Sequence, residues 1–218
     1  MEQNTSLEHL KMASKPSENF EKFPWFWIIA GPNGSGKSTW ADSKDCKDII
    51  GNIPILNPDK FSEAYTSNPL SHIAAGKKIF HEIERLTQGR KDFAIETTLA
   101  GKNHFRLATT LKNSGWCIGS IYIGVEGEDI CVSRVLEREL KGGHSVPLKD
   151  VVRRYKRSLC HLPKLLSLAD YMMILDNSKG YEKMLETVLG ETTIKKSPPA
   201  WLKNIFYNEQ SDIETKER

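Results

Sequence analysis

Residues Gly31-Pro32-Asn33-Gly34-Ser35-Gly36-Lys37-Ser38 spell G-x-x-x-x-G-K-[ST], a phosphate-binding loop that works only between a strand and a helix. The six residues before it, Trp25-Phe26-Trp27-Ile28-Ile29-Ala30, are apolar and rich in aromatic and β-branched side chains, the composition of a buried strand. A helix is expected to open near Lys37, with Ser38 and Thr39 in its first turn. The glycines allow successive backbone N–H groups to turn toward one anion, and the helix adds its positive end. Lys37 is suited to the β/γ-phosphates and the Ser38 hydroxyl to Mg²⁺. Every motif position is filled, which argues against a chance glycine-rich turn. The chain is therefore expected to bind a nucleoside triphosphate together with Mg²⁺.

The bulk properties narrow the setting. A chain of 218 residues suits one α/β domain with a sizeable core, and 39% hydrophobic and 27% charged residues are ordinary for a globular protein. The net charge of +3 is too mild to argue for nucleic acid. No stretch approaches the roughly 18 apolar residues of a membrane span. The polar first 22 residues do not resemble a secretory signal, so a cytoplasmic protein is expected. Cys46, Cys117, Cys131 and Cys160 show no paired spacing, and reduced thiols are the simplest reading. Without a long heptad or an exposed apolar stripe, a monomer is expected.

Strand and helix signals alternate, which predicts a P-loop NTPase-type α/β fold: a mostly parallel sheet flanked by helices, with a helical lid. Three segments are expected: an N-terminal arm over 1–22, a kinase-like domain over 23–190 and a C-terminal extension over 191–218. Strands are predicted at Trp25–Ala30, Ile53–Asn57, Phe93–Glu96, Ile118–Val125 and Tyr171–Leu175. A helix capped by Ser71 and ended by Gly89 carries the stripe Ile73, Phe80, Ile83 and Leu86. Asn103–Asn113 is a second helix. Glu128–Leu140 is a third, with Val132, Leu136 and Leu140 on one face, and Pro147 opens a fourth through about Leu159. The extension is expected to pack through Trp201, Ile205 and Phe206 and to fray beyond. The five tryptophans read as core filler.

Three features bear on chemistry. Asn57-Pro58-Asp59 follows the second strand, at the sheet rim where open α/β folds bind ligands. Asp59 is placed to take a proton from an attacking hydroxyl, and reads equally as a turn aspartate after Asn-Pro. Glu96-Thr97-Thr98 ends the third strand at the same rim, so Glu96 suits Mg²⁺ through water, a substrate hydroxyl or a helix cap. Arg134, Arg138 and Lys141 share a helix face before Gly142-Gly143-His144-Ser145-Val146-Pro147, and Arg153-Arg154 and Lys156-Arg157 follow. Arginines brought over transferring phosphate stabilise its charge, so this reads as a lid or as a solvated basic face. His144 suits either phosphate contact or a turn cap. His72, His81, His104 and His161 show no ligand spacing and read as surface or helix residues.

Taken together, Ala30 to Thr39, Asn57-Pro58-Asp59, Glu96-Thr97-Thr98-Leu99, Gly142 to Pro147 and Arg153-Arg154-Tyr155 resemble the zeta toxin family over roughly residues 25–180. Asp176-Asn177-Ser178 also looks like its shorter, chromosomally encoded members. The resemblance implies a P-loop kinase that phosphorylates a nucleotide sugar, with UDP-N-acetylglucosamine as the leading acceptor, and an antitoxin protein as a partner. It implies Lys37 and Ser38 as the ATP and Mg²⁺ residues within the loop Gly31 to Thr39, and Asp59 as catalytic base. Glu96, Thr98 and His144 fall on the substrate side, Arg138 and Arg153 on the phosphates, and Asn177 near the adenine. A kinase of another metabolite, or a nucleotide-binding regulatory module without an acceptor, are the rival readings.

Overall fold

The computed structural model describes residues 23–57, 69–143 and 145–205, with side chains from residue 76 onward in the second stretch. Its elements in order are β1 (Trp25–Ala30), α1 (Lys37–Ala41), α2 (Lys44–Ile50), β2 (Ile55–Leu56), α3 (Pro69–Gln88), β3 (Phe93–Thr97) and α4 (Asn103–Asn113). β4 (Cys117–Gly124), α5 (Glu128–Leu140), α6 (Leu148–Leu168), β5 (Tyr171–Asp176), β6 (Glu182–Val188) and β7 (Glu191–Ile194) follow. The expectations for the arm at 1–22, for Pro58 and Asp59, for His144 and for Phe206 lie outside the described residues.

β1 is buried along its whole length, as its unbroken apolar run requires. It pairs in parallel with β3 on one side and β4 on the other, within a seven-stranded sheet of order β2-β3-β1-β4-β5-β6-β7. The first five strands are parallel, and β6 and β7 add an antiparallel edge. Alternation along β1 divides the core between the two faces. Phe26 and Ile28 join Leu111, Ile118 and Leu165 on one face, while Trp25, Trp27 and Ile29 join Trp40, Ile49 and Ile121 on the other. All five tryptophans are buried.

Several sequence expectations need correction. The inward stripe of α5 is Cys131 and Val135, which pack with Val146, Val151 and Tyr155 beneath α6. Leu136 and Leu140, expected on that face, are 41% and 88% exposed. One residue is about 100° of helix, so the true stripe is turned by one position. Phe80 is likewise 59% exposed whereas Leu86 is buried, because steps of three residues drift around the helix. α3 begins at Pro69 rather than after Ser71. α6 continues through Pro163 to Leu168, since buried Leu162 and Leu165 hold its last turns against the sheet.

The β6–β7 hairpin was not legible. Its two-residue turn is Leu189-Gly190, with φ of 51° and 86°, a primed turn that normally announces itself as Asn-Gly. The expected boundary at residue 190 falls inside this turn. Beyond it, Trp201 and Leu202 enter the core and Ile205 packs against it.

Candidate active site

The chain leaves β1 between β3 and β4, where the strand order reverses, and that switch point is where open α/β sheets bind ligands. The loop Gly31 to Gly36 turns here into α1, whose N-cap is Gly36 with φ 96°. No side chain fits at any of its three glycines. A Cβ on Gly31 would stand 2.1 Å from the Ile123 carbonyl oxygen, one on Gly34 2.6 Å from the Cys131 carbonyl oxygen, and one on Gly36 2.4 Å from the Asn177 amide nitrogen.

Side chains from elsewhere tie the loop's carbonyls back. Asn177 Nδ2 donates to Ser35 O at 2.8 Å, and the Tyr181 hydroxyl donates to Gly36 O at 2.7 Å. Arg134 donates to Gly34 O at 3.4 Å, to Asn177 O at 2.9 Å and to Ser178 O at 3.3 Å. Restraining the carbonyls in this way is what a nest of N–H groups for an anion requires. Lys37 is buried, with Nζ donating to Pro32 O at 2.7 Å. The Ser35 hydroxyl is buried without a hydrogen-bond partner among the described residues, a donor that suits a phosphate oxygen.

Glu96, on β3, joins the first turn of α1 to the residue that follows β2. The Ser38 hydroxyl donates to its Oε1 at 2.7 Å, and Asn57 Nδ2 donates to its Oε2 at 2.6 Å. Two cavities meet at this point and share Lys37, Asn57 and Glu96 as a common wall. One, of about 360 Å³, is lined by Asn33, Gly34, Gly36, Ser38, Thr39, Arg134 and Arg138. The other, of about 350 Å³, is lined by Thr97, Thr98, Ala100, Gly101, Arg153, Arg154 and Arg157. A phosphate loop faces one lobe and three guanidinium groups face the other.

Most expected site residues therefore converge. Lys37, Ser38, Thr39, Glu96, Thr98, Arg138 and Arg153 all line the paired lobes. Arg153 also pairs with Asp150 at 3.0 Å, and Arg154 reaches Asn33 Oδ1 at 3.4 Å. Asn177, expected near an adenine, has its side-chain amide engaged behind the loop. Asp59 and His144 are not among the described residues. Arg154 and Arg157, which belong to the basic run expected to form a lid, line the second lobe beside Arg153. The sequence motif around Asn57 pointed to Asp59 rather than to Asn57 itself. Tyr181 carried no signal.

The fold and the loop together define a P-loop protein with a kinase-like parallel sheet. The chain belongs to the zeta toxin family: the family model described as Zeta toxin matches residues 8–179. That match opens within the stretch read as an N-terminal arm. An uncharacterized protein of Haemophilus influenzae is 30% identical over 131 residues, covering 59% of this chain and 90% of that one. Among solved structures, a chain of the AvrRxo1-ORF1:-ORF2 complex with ATP superposes with a TM-score of 0.62 at 15% identity, covering 79% of this chain. This protein spans only 61% of that chain. The PezAT chromosomal toxin–antitoxin system of Streptococcus pneumoniae gives 0.57 at 19% identity, covering 84% of this chain and 76% of that one. A candidate kinase of Chloroflexus aurantiacus gives 0.52 at 17% identity, covering 72% and 89% respectively. No helix among the described residues is long and apolar enough to cross a membrane.

Proposed function

We propose that this chain is a kinase that moves the γ-phosphoryl group of ATP to a hydroxyl of a nucleotide sugar, with UDP-N-acetylglucosamine as the leading acceptor. The observation that carries this reading is the pair of lobes joined at Lys37, Asn57 and Glu96. A hydrolase needs room for one water beside the phosphate loop. Here a second cavity of similar volume opens beside it, and Arg153, Arg154 and Arg157 give it the charge to hold an anionic acceptor.

In this reading Lys37 and the loop hold the β- and γ-phosphates, and Ser35 supplies a hydroxyl donor. Ser38 and Glu96 present a hydroxyl and a carboxylate side by side, the oxygen donors a hard cation prefers, so they would hold Mg²⁺. Bound there, Mg²⁺ would neutralise charge shared by the β- and γ-phosphates. Asp59, two residues beyond Asn57, takes the proton of the acceptor hydroxyl. The acceptor oxygen bonds to the γ-phosphorus as the bond to the β–γ bridging oxygen breaks, and ADP leaves. Arg138 and Arg153 offset the charge on the transferring group. The membership in a toxin family and the PezAT likeness support a toxin held by an antitoxin protein.

The test is mass spectrometry of UDP-N-acetylglucosamine incubated with the protein and Mg-ATP, beside Lys37→Ala and Asp59→Asn. A phosphorylated sugar made by the wild type alone supports the reading. With ATP bound and the sugar unmodified, the acceptor assignment falls and a panel of other anionic metabolites takes its place. An Asp59→Asn variant with near-normal turnover removes the base from Asp59.

A further inference from the structure

The loop that floors the second lobe holds an unusual residue. Leu99 is fully buried and adopts φ 59°, a left-handed conformation that a branched apolar side chain rarely takes. Such a backbone persists only where its surroundings fix it. Two contacts do so. The Leu99 N–H donates to Thr97 Oγ1 at 3.1 Å, and the Leu99 carbonyl oxygen lies 2.7 Å from His161 Nδ1. A carbonyl only accepts, so Nδ1 carries the proton in this bond.

His161 stands on α6, four residues beyond Arg157 and seven beyond Arg154, on the face that those arginines present to the lobe. Its ring is set edge-on against Phe105 of α4, with centroids 5.6 Å apart, and Lys164 Nζ lies over the same phenyl ring, 5.1 Å from its centroid. One imidazole thus joins the arginine helix to the turn that carries Thr97, Thr98, Ala100 and Gly101.

We propose that His161 is a positioning residue for the second lobe: it holds Leu99 in its left-handed turn and so fixes Thr97 to Gly101 against the arginines of α6. Among the described residues its contacts are with the Leu99 carbonyl and Phe105, away from the phosphate loop. The proposal rests on reading this lobe as the acceptor site, and its test separates the two. His161→Ala removes the donor, and His161→Asn restores one near the Nδ1 position.

In the full-length protein, hydrogen exchange at the amides of residues 97–101 is expected to speed up in His161→Ala and to return toward wild type in His161→Asn. ATP affinity should stay unchanged in both. With UDP-N-acetylglucosamine as acceptor, KM should rise about tenfold in His161→Ala, the scale of one lost hydrogen bond, with kcat altered less and the Asn variant rescuing it. Unchanged exchange at 97–101 overturns the proposal, whichever acceptor is used. Equal losses of ATP affinity and acceptor KM also overturn it, because they mark a general structural role. Should UDP-N-acetylglucosamine prove inert, the acceptor reading fails while the exchange data still decide the role of His161.

Discussion

Ser38 and Glu96 stand 58 residues apart in sequence and share a 2.7 Å hydrogen bond at the mouth of the phosphate loop. Parallel pairing of β1 and β3 sets this up, since it aligns Ile29 with Glu96 and so brings the carboxylate to the level of the loop. If the pair works as one unit, Ser38→Ala and Glu96→Gln should each lower kcat roughly 10²-fold, and the double variant little further. Steady-state turnover at saturating Mg-ATP, with melting curves to confirm folding, measures this. A combined loss near the product of the two would show that they act separately.

Gly36 tests the packing behind the loop. A methyl group there meets both the Asn177 amide nitrogen and the Tyr181 hydroxyl, at 2.4 and 2.7 Å. Gly190, with φ 86°, has open space around it and serves as a control. Gly190→Ala should lose about 1 kcal/mol of stability for its left-handed backbone alone. Gly36→Ala should lose about 3 kcal/mol, because it adds displaced neighbours to the same backbone strain. It should also weaken ATP binding at least tenfold. Denaturant midpoints and titration with a fluorescent ATP analogue read the two effects.

The phosphate loop was legible because its whole signal is local: an apolar strand, the glycines and the lysine follow one another in the chain. The same holds for Asn103–Asn113 and for the order of the parallel strands' helices. What sequence spacing did not carry was contact across elements. Glu96 could be read as a rim residue, but its bond to Ser38 depends on sheet register. Arg134 and Arg138 lie on one face by spacing, yet only the turn after β5 reveals that Arg134 grips backbone carbonyls. His161 looked like an ordinary helix residue because its partner, the Leu99 carbonyl, has no side-chain signature at all. The β6–β7 hairpin escaped for a related reason: Leu189 takes a backbone conformation that the residue type does not advertise.

His104 gives the fold a dependence on acid. It is buried, its Nε2 has no partner among the described residues, and burial with the nearby His161 and Lys164 lowers its pKa to about 4. Above about pH 7 the ring is neutral in both folded and unfolded chains, so its contribution is constant. As pH falls below the unfolded value near 6.5, the unfolded chain takes the proton first and stability drops, by up to roughly 3 kcal/mol when pH reaches about 4. Urea midpoints across that window should fall more steeply for wild type than for His104→Gln. Parallel slopes would show that the buried ring does not govern this range.

Arg134 and Arg138 sit one helical turn apart on α5 and both line the phosphate lobe, yet they should fail differently when altered. Arg134 is committed to the carbonyls of Gly34, Asn177 and Ser178, so it shapes the loop. A lysine ammonium has the charge but not the planar fork that reaches three carbonyls at once. Arg134→Lys should therefore raise KM for ATP about tenfold while leaving kcat within a few-fold. In the proposed transfer Arg138 instead meets charge that develops on the moving phosphoryl group. Arg138→Ala should lower kcat on the order of 10³-fold with ATP affinity nearly kept. Isothermal titration with ATP beside single-turnover rates separates the two outcomes. If Arg134→Lys lost turnover while Arg138→Ala lost affinity, the assignments along this helix would be reversed, with Arg134 released from the loop to act on phosphate.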